Sequence, residues 1–337
     1  MKRSFTQSQK GVLHMKDSIL SYSVGPLLYC PANRADLALS VQQEKFGRQY
    51  SLALCLEDTI NDRFLAQAEE MFLCTLTRIY TASQTRSFFI PKIFVRVRHV
   101  SQIKDLLCRL KETSALLTGF ILPKFDLSNA DDYIRSAAEI NQNSDKPYYV
   151  MPILESPAII DIHRRAEILY EIRDKLQAIE DIVLNIRVGG NDLCHAFGFR
   201  RDEHTSIHKI LPIAAIFSDI ITVFGRDYVV SGPVWEYYNQ TGWDTGLIRE
   251  LSDDRLCGFI GKTVIHPRQI PLVNQAYAVR PEDLNDAKSI LNWDPDNPSL
   301  VAGSQDKQRM NEYKTHANWA KKILSLSRIY GVQQTTR

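Results

Sequence analysis

Short apolar runs rich in β-branched and aromatic residues recur along this chain, and longer stretches with apolar positions three and four residues apart lie between them. The runs cover residues 27–30, 51–56, 92–97, 117–123, 148–154, 182–188, 227–231 and 256–260. The intervening residues 63–80, 100–110, 130–140, 158–179 and 206–220 have the spacing of amphipathic helices. Strand and helix in alternation predict parallel strands joined by crossovers. Eight strands predict an α/β fold closed into a (β/α)8 barrel. An open sheet would call for a glycine-rich phosphate loop after the first strand, but Cys30-Pro31-Ala32-Asn33-Arg34 holds no glycine.

Three segments follow from this pattern: a polar leader over residues 1–24, the barrel over 25–291 and a helical extension over 292–337. The turn-rich stretch 292–298 marks the second boundary. Within the extension, Tyr313, Trp319, Ile323, Leu326 and Ile329 are spaced for a helix across 311–330.

Composition narrows the function classes. Of 337 residues, 41 are basic and 39 acidic, a net charge of +2, and the charges are interspersed, so no broad field favours nucleic acid or an anionic membrane. The expectation is therefore no nucleic-acid partner and no membrane partner. The basic Met1-Lys2-Arg3 start is followed by no apolar stretch of the signal-peptide kind, and no run of about 18 apolar residues appears, which predicts a cytoplasmic protein. The six cysteines form no CxxC pair, and three of them (Cys30, Cys55 and Cys257) fall in apolar runs, where a thiol acts as a small hydrophobe.

In a barrel of this kind the chemistry sits at the C-terminal ends of the strands. The first run ends in Asn33-Arg34, the second in Glu57-Asp58, the third in Arg96, the fourth in Lys124, the fifth in Glu155 and the sixth leads to Asp192. Two carboxylates at neighbouring strand ends suit Mg²⁺, which takes oxygen ligands and keeps positions open for substrate. Either acid alone would more ordinarily be a helix cap or an ion-pair partner. Arg34, Arg96 and Lys124 around such a metal call for an anionic substrate, a di- or tricarboxylate, since the guanidinium fork suits a carboxylate. For Arg34 the plain alternative is pairing with Glu57-Asp58. Lys124 would otherwise form a Schiff base, which needs a lowered amine pKa. His204 and His208 stand at zinc-pair spacing without a third ligand, so a solvated helix start is the simpler reading. His266 is expected to orient its loop, and Trp235, Tyr237 and Tyr238 to pack.

These strand ends also carry a family resemblance. Leu28-Tyr29-Cys30-Pro31-Ala32-Asn33-Arg34, Leu54-Cys55-Leu56-Glu57-Asp58, Val95-Arg96-Val97, Leu122-Pro123-Lys124, Ile153-Leu154-Glu155, Gly189-Gly190-Asn191-Asp192-Leu193 and Gly258-Phe259-Ile260-Gly261-Lys262-Thr263-Val264-Ile265-His266-Pro267 occur in order. The set resembles the citrate lyase beta subunit group of the HpcH/HpaI aldolases, TIM-barrel carbon–carbon lyases. The resemblance implies Mg²⁺ on Glu155 and Asp192. It also implies substrate binding by Arg34, Arg96, Gly190 and Asn191, and a catalytic set of Arg34, Glu57, Asp58, Arg96 and Lys124, with Glu57 and Asp58 ordering the metal's waters. The implied reaction cleaves a 2-hydroxy or 2-oxo polycarboxylic acid, free or as a CoA thioester, through a metal-stabilised enolate in a homo-oligomer, a trimer by family habit.

Departures mark a divergent branch. Cys55 stands for the family's Asp, Ala32 for Gly and Arg98 for Asn, and the loops at 197–208 and 235–247 are unlike ordinary members. The alternatives are the same enolate chemistry in the condensing direction and a barrel that binds without catalysing.

Overall fold

The computed structural model describes residues 15–239, 241–294 and 296–334; residues 1–14 of the polar leader lie outside them. Eight parallel strands are present: β1 (Pro26–Pro31), β2 (Ser51–Cys55), β3 (Lys92–Arg96), β4 (Leu117–Leu122), β5 (Tyr149–Leu154), β6 (Ile186–Val188), β7 (Val230–Ser231) and β8 (Lys262–Val264). Each pairs with its chain neighbour from β1 to β7, and β8 returns to β1. A single parallel bridge, Gly232 to Lys262, links β7 to β8 and brings the ring round.

Among the described residues twelve α-helices accompany the strands: α1 (Ile19–Tyr22), α2 (Leu37–Gln42), α3 (Leu65–Ser83), α4 (Ser101–Leu110), α5 (Ala130–Gln142), α6 (Arg165–Leu176), α7 (Gly190–Ala196), α8 (Leu211–Phe224), α9 (Trp243–Cys257), α10 (Gln269–Tyr277), α11 (Pro281–Leu291) and α12 (Tyr313–Tyr330). Period-two alternation in the strands divides the core in two. Leu27, Ala53, Phe94, Ile121, Met151 and Ile153 fill the barrel interior, while their sequence neighbours pack outward under the helices.

Where the elements differ from expectation, local physics explains it. The eighth strand is Lys262–Val264, not 256–260, because Leu256 and Cys257 end α9. Gly258 at φ +102° caps that helix, and Leu256 is 88% exposed, so an apolar residue there does not mark a strand. Cys257 is accordingly exposed rather than strand-buried, and all six cysteines are free. The long helix expected over 158–179 is the shorter α6 flanked by 3-10 turns, broken where Ile179 leaves helical geometry.

α12 packs back on the barrel. The Tyr330 hydroxyl donates to the Tyr22 carbonyl at 3.2 Å, and the Tyr330 ring lies 5.4 Å from that of Tyr277. An antiparallel hairpin, β9 (Val301–Gly303) with β10 (Met310–Glu312), precedes it. No helix among the described residues is long and apolar enough to cross a membrane.

Between barrel and helices lies a buried charged network that the sequence pattern did not reveal. Lys262 Nζ, fully buried, donates to Glu250 Oε1 at 2.9 Å and Asp254 Oδ2 at 2.7 Å, and His208 Nε2 meets Asp254 Oδ1 at 2.7 Å. The network fastens α9 to β8. The His208 side chain is therefore tucked in as a hydrogen-bond partner of Asp254 rather than a solvated helix start, while the side chain of His204 is 65% exposed.

Candidate active site

The C-terminal ends of β2 to β6 converge on one cluster of ionisable groups. Arg96, the last residue of β3, is buried, and its Nη2 lies 2.6 Å from Glu57 Oε2, 2.8 Å from Asp58 Oδ2 and 3.0 Å from Glu155 Oε1. Lys124 Nζ lies 2.6 Å from Glu57 Oε1 and 3.1 Å from Asp58 Oδ1. Two cations, from the ends of β3 and β4, thus bind three carboxylates from the ends of β2 and β5.

The backbone is shaped to permit this. Lys124 sits at φ +47°, a left-handed conformation that costs a non-glycine residue about 1–2 kcal/mol. Its N–H donates to Glu155 Oε1 at 3.0 Å, and its carbonyl accepts from Asn129 Nδ2 at 2.9 Å. Arg98 holds the β2 loop from below, donating to the carbonyls of Leu56 at 3.1 Å and Glu57 at 2.9 Å. Arg98, left out of the sequence-based site, therefore anchors the backbone that carries Glu57 and Asp58.

Glu155 Oε2 faces the end of β6. A Cβ on Gly189 would come within 2.2 Å of it, so only glycine lets that strand end approach the carboxylate. Three residues on, Asp192 occupies the first turn of α7, half-buried. Burial is the main influence raising the Glu155 carboxyl to about 8; Arg96 opposes it, and the Asp192 carboxylate adds to it. Burial also raises Glu57. For Asp58 burial is outweighed by hydrogen bonding to Glu57 and by Arg96 and Lys124, and its carboxyl is lowered. Burial would lower Lys124, but its bonds to Glu57 and Asp58 outweigh that and hold the ammonium above its ordinary range. A Schiff-base role needs the opposite shift, so the geometry disfavours it.

The other expected residues are distributed differently. Arg34 does not join the cluster. Its Nε and Nη2 grip Asp36, two residues on, at 2.7 and 2.9 Å, and its guanidinium lies 5.8 Å from the centre of the Phe46 ring. Gly190 packs at the start of α7, where a Cβ would come within 2.7 Å of Ile207 Cδ1 and 2.9 Å of Pro233 Cβ. Asn191 is exposed and lines a cavity of about 340 Å³ with Cys194 and His195 of α7 and with Phe199, Arg200 and Glu236 of the divergent loops. Trp235 is fully buried beneath the Arg201 guanidinium, and Tyr238 stacks on His266 at 4.7 Å. His266 Nδ1 accepts from the Arg268 N–H at 3.2 Å, so it orders its own loop.

The balance of charge bears on the metal. Two cations, Arg96 and Lys124, face four carboxylates, Glu57, Asp58, Glu155 and Asp192. With all four carboxyls ionised the excess is two negative charges, which matches one divalent cation, and the repulsion between Glu155 and Asp192 is what such an ion relieves. All candidate donors are oxygens, as Mg²⁺ prefers. The chemistry of the donors present, all oxygens, is therefore compatible with such an ion.

Comparison with known proteins agrees with this architecture. Solved structures similar to this chain include protein CitE from Mycobacterium tuberculosis in complex with magnesium, acetoacetate and coenzyme A, at 21% identity and TM-score 0.60, over 92% of this chain and 99% of that one. The citrate lyase beta subunit from M. tuberculosis complexed with oxaloacetate and magnesium is 20% identical at TM-score 0.50, over 77% and 99%. RipC from Yersinia pestis is 16% identical at TM-score 0.50, over 76% and 95%. Comparison with curated proteins gives no match. The family model for the C–C bond lyase of the TIM-barrel fold matches residues 18–332. Spanning nearly the whole chain, that match makes this protein a member of the TIM-barrel carbon–carbon bond lyases.

Proposed function

We propose that this lyase is Mg²⁺-dependent and cleaves a small 2-hydroxy or 2-oxo acid, with Glu155 and Asp192 holding the metal. The observation that carries this reading is the excess of two carboxylates over cations at the rim. A bound Mg²⁺ would polarise the substrate's hydroxyl or carbonyl oxygen and offset the charge that develops as the bond breaks.

The chain's own groups divide the remaining work. Glu57, raised by burial, is placed to accept the hydroxyl proton, and a base of raised pKa suits that transfer. Arg96 and Lys124 hold Glu57 and Asp58 in place and stabilise negative charge at the rim. The two M. tuberculosis structures hold magnesium with acetoacetate and coenzyme A or with oxaloacetate, which supports an oxo acid as ligand here. The cavity beside Asp192 is the place for the remainder of a larger substrate, including a thioester arm. A homotrimer is the assembly proposed, by family resemblance.

The full-length protein incubated with Mg²⁺ and a panel of 2-hydroxy acids, each free and as its CoA thioester, is expected to release an oxo acid that a coupled dehydrogenase detects. EDTA should stop the release and Mg²⁺ restore it. Release that survives EDTA unchanged, or none from any member of the panel in either direction, contradicts the proposal.

A further inference from the structure

One buried cation in the barrel has no carboxylate partner among the described residues. Arg187 lies on β6 and is 2% exposed. Its Nη2 donates to Thr263 Oγ1 on β8 at 2.5 Å. The other charge influences on it are the Tyr29 hydroxyl of β1, which also hydrogen-bonds it, and the like-charged Arg96. Contacts to β8 and β1 from β6 cross the barrel interior, because β7 lies between β6 and β8 in the ring. Nη1 is buried with no hydrogen-bond partner among the described residues.

A buried guanidinium without a counter-charge is costly, and proteins keep such groups where something pairs with them. The register places the group relative to the site. Ile153 pairs with Arg187 and Leu154 with Val188, so Glu155 stands level with Gly189, two residues or roughly 6–7 Å above Arg187 along the strand. Arg187 is therefore one layer of the barrel below Glu155. The three cations that the sequence suggested as substrate readers are already engaged: Arg96 and Lys124 by Glu57, Asp58 and Glu155, and Arg34 by Asp36. Once a divalent ion balances the rim, the positive charge left over beneath it is that of Arg187.

We propose that Arg187, through its unpartnered Nη1, receives a carboxylate of the substrate from beneath the rim, with Thr263 and Tyr29 fixing its fork. The inference rests on the lyase reading and deepens it. With a single uncompensated guanidinium, the ligand class is a compact 2-oxo or 2-hydroxy acid that sends one carboxylate inward. A di- or tricarboxylate must then place its remaining carboxylates toward the metal or solvent.

The test uses the full chain as wild type, Arg187→Met and Arg187→Lys, with thermal melts to verify folding. Oxaloacetate is titrated by calorimetry in the presence of Mg²⁺, and malonate is added without Mg²⁺ while the melting temperature is followed. Arg187→Met is expected to weaken oxaloacetate binding tenfold or more, to leave Mg²⁺ binding unchanged and to lose the stabilisation by malonate. Oxaloacetate binding by Arg187→Met as tight as wild type overturns the proposal, even if the lyase reading stands. If wild type binds no oxaloacetate but malonate stabilises it in an Arg187-dependent way, the anion site stands and the lyase reading falls. If malonate also acts equally on both proteins or on neither, the proposal is overturned as well. Should Arg187→Met not fold, Arg187→Lys decides, because lysine keeps the charge but cannot hold Thr263 and a carboxylate with one fork. A threefold or greater loss then supports the proposal, and a smaller one overturns it.

Discussion

An Arg96→Met protein should unfold at markedly lower urea than wild type, with a loss of about 3–5 kcal/mol at pH 8. The side chain is of comparable length, so the loss would come from charge: Glu57, Asp58 and Glu155 all meet the same Nη2. The deficit should also depend on pH. Without the guanidinium, the carboxyls at Glu57 and Glu155, already raised by burial, rise further above their unfolded values. A carboxyl whose folded pKa exceeds its unfolded one destabilises increasingly as pH rises from the unfolded value toward the folded one. The gap between variant and wild type should therefore be smaller at pH 5 than at pH 8. Equal midpoints for the two proteins at pH 8 would show that Arg96 does not neutralise this cluster.

The second large effect is on turnover. Glu155→Gln should lower kcat/KM about a thousandfold or more, about 4 kcal/mol of transition-state stabilisation. It should do so without loss of fold. With its carboxyl at about 8, Glu155 is largely protonated at pH 7 in the metal-free protein, and glutamine mimics that state. The wild type carries a penalty that grows as pH rises from the ordinary carboxylate range to about 8, and glutamine carries none. In EDTA the variant should thus match wild type near pH 5 and gain on it toward pH 8. Urea midpoints at both pH values, measured beside the activity, separate a lost ligand from a lost fold. Activity within tenfold of wild type would remove Glu155 from the chemistry.

Much of the architecture could be read from the alternation of apolar runs and helical spacing, because interior strands of a parallel barrel are buried on both faces and stand out as apolar segments. The eighth strand could not. Lys262–Val264 is short and begins with a lysine whose charge is neutralised by Glu250 and Asp254 of α9, a pairing across the helix layer that no local pattern reports. The strand-end rule brought Glu57, Asp58, Arg96, Lys124 and Glu155 to one place because each ends its strand or stands within three residues of that end. It missed how they pair, since which carboxylates reach Arg96 depends on the stagger between strands. Arg34 stands outside the cluster because Asp36, two residues away in the chain, engages its guanidinium. Arg187 lay inside the apolar run 182–188, where a charged residue within a core strand was itself the signal. Arg98 carried a signal of the same kind, an arginine where the resembled family has asparagine.

The pairing of Glu155 with Asp192 around one ion is the claim on which the mechanism depends, and calorimetric titration of Mg²⁺ tests it most directly. Wild type should bind one ion. The affinity should rise close to tenfold per pH unit up to about pH 8, with one proton released per ion, because the Glu155 carboxyl must ionise to take part. Glu155→Gln and Asp192→Asn should each abolish the binding. Undiminished Mg²⁺ binding by both single variants, or no binding by wild type at pH 9, would contradict the account.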